Sequence, residues 1–280
     1  MNEMKKKWLK RISFGSISLI ILIYLTICTL FYFKQESLLF YPNKLESNHS
    51  FDFDTNFEEV QLEAPDGITL HSLLFKTTKS NGVIFYLHGN GESLEFWGQY
   101  AKQFNDLNYD VFFLDYRGYG KSEGHITDEK QFYQDAQLGY GYLKKYYPEE
   151  KITILGVSLG TSAASWIASQ NQPSKLILLA PFFSIPDLKN NFESLRWARL
   201  IPSFLVKYKF RNYENIERVR APVIIMHGDQ DNVIYYGSSL KLKEHFKSGD
   251  TLITIKGGPH HIHHKNEKVQ FELKRILQSD

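Results

Sequence analysis

The stretch with the clearest chemical potential is Gly156-Val157-Ser158-Leu159-Gly160. It lies between an apolar run, Lys151 to Leu155, and a segment rich in small residues, Thr161 to Ser169. A serine between two glycines at a strand-to-helix hinge can occupy a strained turn, because the glycines let strand and helix approach closely. Its Oγ then stands clear as a nucleophile. The N–H of Leu159, at the helix start, points to where an oxyanion would form. The plainer alternative is a tight turn with a capping serine. The pentapeptide gains meaning only when it follows a strand and opens a helix, and the flanks here have that form.

A serine nucleophile needs a base, and the base needs an orienting acid. One known chain order is serine, acid, histidine. Asp229 and Asp231, in "MHGDQDNVI", follow one apolar run, and His260, in "IKGGPHHIHH", follows the next. Loops leaving the carboxyl ends of parallel strands gather at one sheet edge, so all three groups would converge there. Either aspartate reads equally well as a turn residue. The loop after "GVIFYLHG" offers a second oxyanion donor in the N–H of Asn90, with Gly89 and Gly91 letting the chain bend close to a substrate. A simple Gly/Asn turn is the alternative. His260, His261, His263 and His264 crowd one loop with no acidic or thiol partner in the run, so no metal site is assigned, and no cofactor.

The elements that must position these residues are legible as short continuous apolar runs at 82–89, 110–118, 151–156, 175–180, 221–228 and 251–257. Continuous rather than alternating runs suit strands buried on both faces. Helical patterns lie between most of them: Ser93–Leu107, Asp128–Tyr147, Thr161–Gln170 and Ser238–Phe246. Alternation of this kind predicts a mostly parallel sheet with helices on both faces. Two β-like runs around Asp66-Gly67 predict a hairpin that makes an antiparallel edge. Residues 37–57 read as an irregular connector, and no internal repeat is visible. Residues 181–220 are longer than a plain crossover needs and rich in Phe, Leu, Trp and Tyr, which suggests a short helical cap. Phe182, Phe183, Leu195, Trp197, Leu200, Phe204 and Leu205 would line an acyl pocket, touch lipid, or simply pack on the sheet.

The N-terminus is of another kind. Ile12 to Phe33 carries no charge over 22 residues. As a helix that run is about 33 Å long, against a hydrocarbon core of about 30 Å. It has no polar stripe, unlike a core helix. It ends in Phe31-Tyr32-Phe33-Lys34 without a small-x-small cleavage site, which favours an uncleaved anchor over a signal peptide. "KKKWLKR" precedes it and should stay cytoplasmic, leaving the rest on the other side. The expected division is therefore 1–34 for tail and anchor (helix about 12–33) and 35–280 for the folded domain that carries these residues, with a cap at about 181–220. The net charge of +2 conceals an asymmetry. Residues 1–34 hold six of the 33 basic residues and one of the 31 acidic, leaving 27 against 30 in the rest. A mildly acidic body has no electrostatic reason to bind nucleic acid. Cys28 is the single cysteine, so no disulfide can form within the chain. It lies inside the anchor run, and Ile27 stands where a lipoprotein acceptor site needs a small residue.

Taken together the motifs resemble the α/β-hydrolase fold serine hydrolases, in particular the membrane-anchored α/β-hydrolase domain-containing branch. The matching residues are Phe40-Tyr41-Pro42, His88-Gly89-Asn90, "DYRGYGKSEG" from Asp115 to Gly124, "GVSLG" from Gly156 to Gly160, His227-Gly228-Asp229-Gln230-Asp231, and Gly257-Gly258-Pro259-His260. The resemblance runs from about residue 37 to the end. It implies an α/β-hydrolase fold of about eight strands and a Ser158–His260–Asp231 triad. It selects Asp231 over Asp229, and His260 over its neighbours. The histidine crowd departs from the pattern, and His261 would serve as base if the loop shifted by one. "DYRGYGKSEG" would shape a loop near the site, and its Ser122 lacks the elbow context. The implied activity is cleavage of carboxylic esters or thioesters, with a lipid-like acyl substrate suggested by the anchor. A peptidase or amidase using the same triad, and a non-catalytic interaction protein on this fold, are the alternatives.

Overall fold

The computed structural model describes residues 3–191, 193–260 and 266–278. An eight-stranded sheet runs in the order β1-β2-β4-β3-β5-β6-β7-β8. β1 (Phe57–Glu63) and β2 (Thr69–Phe75) form the hairpin around Asp66-Gly67 and pair antiparallel. β2 is also antiparallel to β4 (Tyr109–Leu114). From β4 onward the sheet is parallel through β3 (Gly82–Leu87), β5 (Ile152–Val157), β6 (Lys175–Leu179), β7 (Val223–Gly228) and β8 (Thr251–Ile255). The mostly parallel sheet expected from the apolar runs is the one observed.

Continuous apolar strands are needed because both faces are covered. Val83, Phe85 and Leu87 of β3 enter one core, while Ile84 and Tyr86 enter the other. The first core is covered by α4 (Glu129–Leu143) and α5 (Gly160–Gln170), through residues such as Phe132, Tyr140, Ala164 and Ile167. The second is covered by α2 (Leu94–Trp97), α3 (Ala101–Asn105) and α9 (Glu267–Gln278), through Trp97, Phe104, Val269 and Leu273. The helix expected over Ser93–Leu107 is broken into α2 and α3 by a 3-10 turn at Gly98–Tyr100. Phe53 presses on Gly98 there, and a Cβ on that residue would sit 2.5 Å from the Phe53 ring. α9 was not among the expected helices. Its signal is nevertheless in the sequence, since Val269, Leu273, Ile276 and Leu277 recur at the spacing of one helical face and are all buried.

Residues 181–220 form α6 (Ile185–Asn191), 3-10 turns at Glu193–Leu200 and Ser203–Leu205, and α7 (Asn212–Ile216). α8 (Gly237–Lys243) precedes β8. α1 spans Glu3–Leu39, 37 residues, so it extends beyond the charge-free run at both ends. It is long and apolar enough to cross a membrane, and almost none of its most apolar window is buried in the rest of the protein.

Candidate active site

Ser158 sits in the turn between β5 and α5 with φ +49°, in the left-handed region that non-glycine residues rarely adopt. Such a conformation costs on the order of 1–3 kcal/mol and persists only where the surroundings enforce it. The Ser158 amide donates to the Leu179 carbonyl at 2.9 Å, and the Thr161 amide donates to the Ser158 carbonyl at 3.0 Å. Both flanking glycines are sterically required. A Cβ on Gly156 would lie 2.6 Å from that of Ala164, and one on Gly160 would run into the Leu87 and His88 carbonyls.

The loops after β7 and β8 bring Asp231 and His260 together. His260 Nδ1 lies 2.7 Å from Asp231 Oδ2, with both residues buried. An ionised carboxylate can only accept, so Nδ1 carries the proton toward Asp231. Asp229 does not take part in this contact. It is exposed, and its carboxylate accepts from the Gly257 amide at 2.6 Å as a turn residue. Asp231 Oδ1 accepts from the amides of Val233 and Ile234, each at 2.8 Å. Oδ2 also faces Nε2 of His227 at 3.1 Å. That nitrogen faces a second acceptor, the Ile234 carbonyl, at 2.9 Å, so it must be the protonated one. His227 Nδ1 lies 2.6 Å from Ser239 Oγ and accepts from it. Burial pushes the Asp231 carboxyl up, but the hydrogen bonds from His227, His260 and the Val233 amide together hold it well below the usual carboxylate range. His227 appeared in the sequence only as part of a motif. Its role as a second donor to the acid was not read there.

On the other side of Ser158 runs the loop after β3. A Cβ on Gly89 would stand 3.7 Å from Ser158 Cβ. Among the described residues, the amides of Asn90 and Leu159 have no protein acceptor. The Asn90 side chain, by contrast, is fully engaged. Its Nδ2 donates to the Leu39 carbonyl at 2.6 Å, and its Oδ1 accepts from Tyr119 Oη at 2.7 Å and from the Tyr41 amide at 3.0 Å. The end of α1 thus holds this loop, a link that no sequence pattern announced.

A cavity of about 660 Å³ joins these parts, within the range of small-ligand sites. Ser158, Leu159, Asn90 and His260 all line it, and its walls are mainly apolar. Phe31, Leu38 and Leu39 come from α1, and Phe182, Leu188 and Trp197 from the 181–220 interval. Of the other residues expected from that interval, Phe183 stacks on Tyr213, while Leu200 and Phe204 face outward. The Leu195 side chain lies outside the described part. Among the described residues no group of His, Cys, Asp and Glu is arranged to hold a metal ion. His261, His263 and His264 lie outside the described residues. Ser122 is buried and structural, donating to the Asp115 carbonyl at 2.8 Å and accepting from the His71 amide at 2.8 Å.

A family model described as serine aminopeptidase, S33, of the Hydrolase_4 group, matches residues 78–217, half of the chain. The chain belongs to the α/β-hydrolase family. It is similar to the lysophosphatidylserine lipase ABHD12 of Danio rerio, 30% identical over 58% of this chain and 47% of the lipase. The chain therefore spans about half the length of that relative. It is also similar to protein bem46 of Schizosaccharomyces pombe, 27% identical over 73% of this chain and 72% of bem46. Among solved structures, the Pyrococcus furiosus esterase Pf2001 superposes with a TM-score of 0.67 at 18% identity, covering 86% of this chain and 97% of the esterase. That last likeness concerns the fold. Within this family frame, the turn carrying Ser158, the buried Asp231–His260 pair and the two unbonded amides all sit at the carboxyl edge of the parallel strands.

Proposed function

We propose that the protein is a membrane-anchored serine hydrolase that cleaves acyl esters or thioesters with Ser158 as nucleophile, His260 as base and Asp231 as the orienting acid. The observation that carries this reading is one apolar cavity walled by both Ser158 and His260, with His260 held by a buried carboxylate. In the first half-reaction Ser158 Oγ attacks the carbonyl carbon and its proton passes to His260 Nε2. The carbonyl electrons move onto oxygen, and the amides of Asn90 and Leu159 hold that oxyanion, each worth on the order of 3 kcal/mol. Collapse expels the alcohol or thiol, which takes the proton from His260. Water then attacks the acyl-enzyme by the same route, releasing the acid and restoring Ser158.

The apolar walls suit a long acyl chain, and the name of the ABHD12 relative points to a lysophospholipid. In this reading residues 1–11 lie in the cytoplasm, α1 crosses the membrane, residues 181–220 cap the site, and the catalytic body lies on the other side. The test is labelling by a fluorophosphonate probe. The parent protein labels, and Ser158→Ala loses both the label and turnover, a drop on the order of 10⁶ in kcat. Equal labelling of the variant would remove Ser158 as nucleophile. A chain-length series of p-nitrophenyl esters should favour eight carbons or more, and a preference for acetate would remove the lipid reading. A second reading, peptide-amide cleavage by the same residues, draws on the description of the matching family model. Faster turnover of aminoacyl amides than of acyl esters would favour it.

A further inference from the structure

The wall between the cavity and the outside is built from two pieces that meet at an unexpected height. Trp197 lines the cavity, yet it is 47% exposed, so the wall there is also molecular surface. Leu200 and Phe204, on the same segment, are 70% and 81% exposed. This segment does not face away from α1. Tyr24 Oη, in the middle of the charge-free run, donates to the Leu200 carbonyl at 3.0 Å. Higher on the same helix, Gln35 Nε2 donates to the Leu205 carbonyl at 2.8 Å, and Gln35 Oε1 accepts from the Lys207 amide at 2.8 Å.

The level of the membrane surface follows from the charges. Lys207 pairs with Glu36 at 3.1 Å and lies 4.7 Å from the centre of the Tyr32 ring, and Lys34 ends the charge-free run. Tyrosine and lysine of this kind mark a headgroup region. Tyr24 lies nine residues before Phe33, about 14 Å deeper along a helix. Whatever touches Tyr24 is therefore below the headgroups if α1 spans the bilayer. Between Trp197 and Leu205 the one charged residue is Arg199. Two lysines from outside the segment cap its carbonyls: Lys189 Nζ donates to those of Ala198 and Ile201 at 3.0 and 2.8 Å, and Lys209 Nζ to that of Ser203 at 2.7 Å, so no bare ammonium faces the apolar side chains there.

We propose that the segment from Trp197 to Leu205 is embedded in the leaflet beside α1, so that the cavity opens onto acyl chains and takes its substrate sideways from the bilayer. This rests on the membrane-anchor part of the proposed function. The occupant of the exposed apolar face is the lipid leaflet, because that face is continuous with the helix that crosses it.

The test places an environment-sensitive NBD label on single cysteines in a Cys28→Ala background. The full chain is reconstituted in phosphatidylcholine vesicles with or without lipid carrying a doxyl quencher on the acyl chain. Labels go at Phe204→Cys and, as a second reporter of the same face, Leu200→Cys. Leu19→Cys, 58% exposed in mid-helix, reports the anchor, and Tyr146→Cys, 65% exposed beyond α4, reports the body. The expected result is blue-shifted emission at 204, 200 and 19, with doxyl quenching several-fold stronger than at 146 and little quenching by aqueous iodide. If 19 is lipid-quenched while 204 and 200 respond to iodide, the embedding is overturned and the anchor stands. If 19 also responds to iodide, the anchor reading fails and takes the embedding with it. If 204 and 200 are shielded from both quenchers, another protein surface covers them, and the leaflet is the wrong occupant.

Discussion

The two sides of Ser158 are built on different principles. The side proposed to supply acid and base is local and closed. Asp231, Val233, Ile234 and His227 lie within eight positions of one another, and only His260 comes from another loop. Four donors surround one buried carboxylate, and each lone-pair direction is used. The side proposed to hold the oxyanion is long-range and open. Asn90 is clamped by Leu39 and Tyr41, about fifty positions earlier, and by Tyr119, while its backbone amide has no acceptor among the described residues. A self-contained network resists disturbance from elsewhere in the molecule. A loop tied to the end of α1 instead depends on the position of that helix.

The largest test of this contrast is Asp231→Asn. The amide can still fill the space, but it no longer stabilises the imidazolium, and kcat should fall on the order of 10⁴-fold. A loss below tenfold would mean that another group orients His260. Next comes Asn90→Ala, which keeps the backbone N–H but frees the loop from α1. A displacement of about 1 Å at the reacting centre costs roughly a hundredfold, so kcat should drop by about that factor with KM little changed. If KM rises alone, the clamp serves binding rather than the oxyanion.

A smaller effect is expected for His227→Leu. It leaves Asp231 one donor short and Ser239 and the Ile234 carbonyl without their partner, lowering stability by about 1–3 kcal/mol in denaturant titrations. Unchanged stability would show that the ring merely fills space. The smallest effect concerns acid. The folded Asp231 carboxyl titrates below its unfolded value of about 3.9, so its stabilisation is complete above that value and is lost as pH falls below it toward the depressed folded value. Comparing the parent with Asp231→Asn from neutral to strongly acidic pH should show the stability difference shrinking only below about pH 4. A difference that shrinks at higher pH would mean the carboxyl is not held down.

Much of this protein could be read from local pattern. Apolar runs of strand length with helical patterns between them determined the parallel sheet, because burial on both faces demands such runs. The turn at Ser158 was equally local, since Gly156 and Gly160 leave room that any Cβ would fill. The 22 charge-free residues before Lys34 determined an apolar helix of membrane length. Other features depended on distance in the chain. Asp229 and Asp231 are alike as residues, and it takes the meeting of the loops after β7 and β8 to put Asp231 against His260 and Asp229 against the Gly257 amide. Gly98, in the turn between α2 and α3, is closed over by Phe53 from far earlier in the sequence, a packing contact no local pattern records. The contacts of Asn90 with Leu39, and of Tyr24 with Leu200, join segments separated by 51 and 176 positions. Local propensity carries no record of such meetings. They are decided when the sheet and its two covering layers pack and bring those segments within hydrogen-bond reach.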